Sequence, residues 1–168
     1  MSQLSLSLDS SLLVRDDQGR YLPATADQIL EAARYVIDQK IPRGTLFTSP
    51  ALVKDYLRTK LASFEHEVFA ALFLDSQNRL IEYVEMFRGT IDQASVYPRE
   101  VVKTALHHNA AAVIFSHNHP SGNAEPSQAD KLLTQRLKEA LALVDVRTLD
   151  HIVVGGEATT SFAERGLL

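Results

Sequence analysis

Residues 110–130 read Ala110-Ala111-Ala112-Val113-Ile114-Phe115-Ser116-His117-Asn118-His119-Pro120-Ser121-Gly122-Asn123-Ala124-Glu125-Pro126-Ser127-Gln128-Ala129-Asp130. The apolar run Ala110–Phe115 is short and unbroken, as a buried strand requires. His117–Pro126 reads as a polar loop. Beyond it, Ala129, Leu132, Leu133, Leu137, Ala140, Leu141 and Val144 recur at helical spacing. A buried strand, a polar loop and an amphipathic helix in this order place the loop at a strand end beside a helix N-terminus. Mixed sheets build their sites there.

Working outward, Leu149–Val154 reads as a further strand closed by a Gly155-Gly156 turn, and the tail from Ser161 to Leu168 is left unassigned. Upstream, Pro98 opens a helix with Val101, Val102, Ala105 and Leu106 on one face. Val68–Leu74 is a buried strand, Asp75–Asn78 a turn, and Leu80–Phe87 a second strand. Nearer the N-terminus, Leu4, Leu6 and Leu8 alternate with serines at a strand period. Leu12–Val14 and Tyr21–Leu22 flank Asp17-Gln18-Gly19, a hairpin turn. Thr25 caps a helix to about Lys40, Pro42-Arg43-Gly44 breaks it, and Ser49-Pro50 starts another with Leu52, Val53, Tyr56 and Leu57. Hairpins alternate with helices, so the expected class is α+β, a mixed-sheet α/β layer fold. The expected organisation is one globular unit. Residues 1–60 form a strand hairpin and helices packed on a core, and 61–168 form the domain that carries the polar loop.

Composition narrows the function. The 168 residues are 45% hydrophobic and 23% charged, enough to bury a core. Seventeen basic against 21 acidic residues leave −4, which argues against a strongly basic nucleic-acid binder. There is no cysteine, so disulfides, thiolate nucleophiles and thiolate zinc sites are excluded. The longest apolar run, Val68–Leu74, is far short of the roughly 20 residues of a membrane span. The N-terminus shows no signal-peptide pattern. The expected location is the cytoplasm.

Any metal must then be held by histidines and carboxylates. His117 and His119 are two apart, and in extended backbone such residues point to one side while Asn118 faces away. Pro120 biases His119 toward extended backbone. Asp130, at the start of the following helix, supplies an oxygen ligand. Two histidines and a carboxylate, with water in the fourth place, are a catalytic zinc set, although iron or manganese accept the same donors. Ser127 lies one turn before Asp130 and can face the same cavity as a hydroxyl donor to an oxyanion. A carboxylate outside the ligand set would move the proton. Spacing alone does not choose it among Glu65, Glu67, Glu82 and Glu85.

The pattern His117-x-His119-x7-Ser127-x-x-Asp130 resembles the metal motif of the JAMM (JAB/MPN-plus) metalloproteases at every motif position. His117-Asn118-His119-Pro120-Ser121-Gly122 resembles the RadC-like bacterial branch, as do Phe87-x-Gly89-Thr90, Pro98-Arg99-Glu100 and Asp150-His151-Ile152. The resemblance runs from about Ala24 to Leu168. It implies a central JAB/MPN-like sheet flanked by helices, one zinc per chain on His117, His119 and Asp130, Glu67 as general base ahead of Phe69, and Ser127 assisting the oxyanion. It implies a metallopeptidase or isopeptidase. No helix-hairpin-helix pattern precedes the metal domain, so the chain resembles the short RadC-like proteins of mobile elements.

Plainer readings stand beside these. Ser127-x-x-Asp130 is also an N-terminal capping box, and Asp130 can cap and ligate at once. Glu67 would serve equally as a charge guarding the end of an apolar strand. His151 is read first as a histidine at a strand start, with Asp150 as the residue that would orient it in a site role. His107 and His108 suit a helix C-terminus. His66-Glu67-x-x-Ala70 lacks the second histidine of a helical zinc-protease site. Rival functions are a DNA-repair-associated binding module with a structural zinc, and a metal hydrolase acting on a non-protein amide or a phosphodiester.

Overall fold

The computed structural model describes residues 12–89 and 96–168. The alternation of Leu4, Leu6 and Leu8 lies outside the described residues, as does Thr90. The chain divides into two compact units, Met1–Gln39 and Lys40–Leu168. Among the described residues, no helix is long and apolar enough to cross a membrane.

In the first unit, strands β1 (Leu13–Arg15) and β2 (Tyr21–Pro23) pair antiparallel. Asp16 closes the hairpin by accepting from the backbone of Gln18 and Arg20, a local use of the carboxylate that favours turns. Helix α1 (Ala26–Lys40) begins on a reciprocal cap. Thr25 Oγ1 accepts from Gln28 N, and Gln28 Oε1 accepts from Thr25 N.

The second unit is built on a mixed five-stranded sheet. Its elements are α2 (Pro50–Leu61), β3 (Val68–Leu74), β4 (Leu80–Arg88), α3 (Pro98–His107), β5 (Ala112–Asn118), α4 (Gln128–Ala142), β6 (Arg147–Gly155) and β7 (Ala158–Ser161). The strand order is β4-β3-β5-β6-β7. Only β5 and β6 run parallel, joined by the α4 crossover; the other neighbours are antiparallel. This is the α+β layered fold expected. Helix α2 packs on β5 and β6, so it falls with this unit and not with residues 1–39. The boundary expected at residue 60/61 therefore differs from the division at 39/40.

The sheet is covered on both faces, which is why Val68–Leu74 is continuously apolar and fully buried. One face presents Phe69, Ala71 and Phe73 of β3 with Val113 and Phe115 of β5 to Val101 and Ala105 of α3 and Leu137 and Leu141 of α4. Each such aromatic or leucine side chain stabilises the fold by about 1.5–3 kcal/mol on burial. On the other face, Leu74, Ile114 and Ile152 line a cavity with Pro50 and Val53 of α2.

Two expectations change. His117 and Asn118 are strand residues, not loop residues: β5 runs on through Asn118, held by Phe69↔His117 on one side and His117↔Val153 and Asn118↔Val154 on the other. Paired neighbours on both sides override the polar side chains. A further strand, β7, which the sequence reading did not assign, follows the Gly155-Gly156 turn and closes a hairpin against β6.

Candidate metal centre

Period two along β5 aims Val113, Phe115 and His117 at the α4 face, and the chain beyond the strand keeps His119 on that side. His119 N donates to Val154 O at 2.8 Å, so the backbone is still pinned to β6 at this residue. Helix α4 begins nine residues later in a reciprocal cap. Ser127 Oγ accepts from Asp130 N at 3.1 Å, and Asp130 Oδ2 accepts from Ser127 N and from Ser127 Oγ, both at 2.7 Å. The capping box turns the Asp130 carboxylate back toward the end of β5.

Among the described residues, one group of three histidine and acidic side chains could hold a metal ion: His117, His119 and Asp130, with their ligand atoms within 4.8 Å of one another. His117 Nε2 lies 3.0 Å from His119 Nε2. Asp130 Oδ1 is 3.4 Å from His117 Nε2, and Oδ2 is 3.5 Å from His119 Nε2. A tetrahedral zinc with bonds of about 2.0–2.1 Å separates its donors by about 3.4 Å. The two imidazole nitrogens and the Asp130 carboxylate are therefore spaced as three donors of that tetrahedron would be. The donor chemistry fits as well. His119 Nδ1 lies 2.7 Å from the Asn123 carbonyl oxygen and must donate to it, which leaves a lone pair on Nε2. His117 is buried, while His119 and Asp130 keep partial exposure, at 20% and 13% of their side chains.

The charges are tightly coupled. The hydrogen bond to Asp130 raises the pKa of His119 above the ordinary histidine value; burial opposes it, and the Asn123 carbonyl and the charge of Glu67 add to it. Burial pushes Asp130 upward, but the neighbouring imidazoles of His117 and His119, with the Ser127 hydroxyl, outweigh it and hold the carboxyl far below the carboxylate range.

Glu67 is half-buried at the residue before β3, near enough for its charge to act on His119. Its carbonyl accepts from Gly89 N at 2.8 Å. Glu85 is engaged by Arg88 at 2.9 Å on β4. The Ser127 hydroxyl is exposed and gives its proton to Asp130 in this structure.

Four residues of the surroundings were hidden in the sequence or read differently there. Asn118, facing away from the metal ligands, accepts from Val68 N at 2.8 Å and donates to His66 O at 3.0 Å and Phe64 O at 3.3 Å. It holds the backbone on both sides of Glu67. Asn118→Asp would keep the acceptor but set a buried charge against two carbonyls. The expected loss is at least about 2 kcal/mol at pH 7 in urea unfolding, shrinking as acid neutralises the new carboxylate. Wild-type stability at pH 7 would show that Asn118 does not anchor this segment. His151, read as an ordinary strand histidine, is fully buried with Nε2 2.8 Å from His117 Nδ1. Asp150 does not orient its ring; the Asp150 carboxylate accepts from His151 N, Ser161 Oγ and Ala163 N. Thr134 lies one turn beyond Asp130, the spacing that shares a helix face, and contacts the other nitrogen of His151 at 2.6 Å. Asn123 acts through its backbone, which no side-chain pattern reveals.

The sequence matches the RadC-like JAB domain over residues 47–167. It is 62% identical over 141 residues to a UPF0758 protein of Vibrio cholerae serotype O1, covering 84% of this chain and 89% of that one. UPF0758 proteins of Leptothrix cholodnii and Cellvibrio japonicus are 62% and 64% identical over 140 residues each. These alignments span 83% of this chain but only 63% and 62% of those relatives, less than two thirds of their length.

Proposed function

Because the chain belongs to the RadC-like JAB domain family, we propose that it is a zinc-dependent hydrolase that cleaves a peptide or isopeptide bond with activated water. The observation that carries this reading is the convergence of His117 Nε2 and His119 Nε2, 3.0 Å apart, on the Asp130 carboxylate, whose Oδ1 lies 3.4 Å from the first and Oδ2 3.5 Å from the second, beside the charge of Glu67. Zinc bound there would supply a Lewis acid and lower the pKa of a coordinated water to about 7.

The chain's own residues supply the rest. The Glu67 carboxylate takes a proton from the attacking water and delivers it to the leaving nitrogen. Asn118 fixes the backbone that carries it. The Ser127 hydroxyl, exposed at the mouth of the site, exchanges Asp130 for the substrate oxygen and donates to the developing oxyanion. Its backbone N–H remains on Asp130, so the ligand keeps its orientation.

The test is metal removal and return. Chelated protein is expected to lose hydrolysis of peptide and isopeptide substrates and to recover it with about one zinc per chain, as a three-ligand site requires. Zinc bound with no hydrolysis would overturn the enzyme reading and leave a binding module with a structural ion.

A further inference from the structure

We propose that Thr134 and His151 are positioning residues whose hydrogen bonds dictate which nitrogen of His117 carries its proton, holding Nε2 free for the ion. This rests on the metal site proposed above and goes one layer behind it. Thr134 Oγ1 is 2.6 Å from the Asp130 carbonyl oxygen and 2.6 Å from His151 Nδ1. The carbonyl has no proton to give, so the single hydroxyl proton must go to it. The hydroxyl oxygen is then an acceptor toward His151, and Nδ1 of His151 must be an N–H.

A neutral imidazole has only one N–H, so Nε2 of His151 is an acceptor. It lies 2.8 Å from His117 Nδ1, which must donate to it. That leaves His117 Nε2 as the lone pair, facing His119 Nε2 and Asp130 Oδ1. His151 is sealed on all sides: Phe162 stacks on it at 4.8 Å, and Phe69 and Phe115 meet it edge-on at 5.6 and 6.0 Å. The ring can neither turn over nor reach water. Asp130 stands at both ends of the chain of bonds, its carbonyl fixing the direction and its carboxylate completing the ligand set. The two histidine ligands are thus set by different means, His119 by one carbonyl and His117 through two intervening side chains.

Thr134→Val keeps the side-chain shape and removes the hydroxyl. An N–H at His151 Nδ1 would then be buried against a methyl, so the proton moves to Nε2 and is donated to His117 Nδ1. The proton of His117 is driven to its metal-facing nitrogen. Nitrogen-15 spectra of the metal-free protein at about pH 8 are expected to show Nδ1–H on His117 and His151 in the wild type and Nε2–H on both in Thr134→Val. Zinc affinity, measured against a competing chelator, is expected to fall 10- to 100-fold and to return in Thr134→Ser, the range usual for partners behind metal ligands.

A wild-type spectrum with Nε2–H on His117 would overturn the proposal, and that spectrum decides even if the valine variant does not fold. Unchanged spectrum and affinity in Thr134→Val would also overturn it. Neither readout needs a substrate. A protein that shows the tautomers and the affinity loss but hydrolyses nothing would sink the hydrolase reading and leave this one standing.

Discussion

Glu67→Gln is expected to keep its zinc and to lose about 10²–10⁴-fold in kcat/KM, the usual contribution of a positioned proton carrier. Glutamine preserves the length of the side chain but cannot take a proton from water at neutral pH. Its backbone is held from both sides: Gly89 N donates to its own carbonyl, and Asn118 grips His66 O and Val68 N. The substitution therefore removes the proton acceptor and leaves its frame. His119→Ala is the contrasting variant, because it deletes one corner of the donor triangle and should lose ion and turnover together. The pair separates two roles that a single inactive mutant would merge. Metal content and kcat/KM of both variants decide it. A fully active glutamine variant would remove Glu67 from the chemistry and return the choice to Glu65, Glu82 and Glu85.

Gly155→Ala is expected to damage the site from the far side of the loop. A Cβ at Gly155 would run into the backbone nitrogen of Ala124, and would stand 2.7 Å from the Asn123 carbonyl carbon and from Gly122 O. All three neighbours are backbone, with no flexible side chain to swing aside. Residues 122–124 must move, and they include the Asn123 carbonyl that fixes the His119 ring. Overpacking of this kind destabilises by about 1–3 kcal/mol, occasionally more. Urea unfolding should register that loss, and zinc titration should show weaker binding than wild type. Unchanged stability and affinity would mean that the loop does not depend on its seat at the end of β6.

Much of this was legible in the sequence because it is local. The Thr25 cap, the seven-residue apolar run of β3 and the period of α4 each lie within one element. The His-x-His and Ser-x-x-Asp spacings are likewise local, and the fold needs only one loop to bring them together. The unread parts are long-range. His117 meets His151 across 34 residues and Thr134 meets His151 across 17, and neither pairing leaves a periodic trace. Residues 117 and 118 read as loop because a buried polar strand residue has the composition of a turn. Strand β7, Ala158–Ser161, is short and polar and exists through its register with β6.

All three candidate donors come from consecutive elements, between residues 117 and 130, while Glu67 precedes β3, whose first residue, Val68, is joined to Asn118 of β5 by a bond spanning 50 positions. Loop-closure entropy rises with the length of the intervening chain, so the three donors can meet early and Glu67 joins late. A folding intermediate with only β5 and α4 docked would hold the three candidate donors without Glu67 beside them. Pairing β3 with β5 is thus the folding step that brings Glu67 to three side chains already gathered around a single loop.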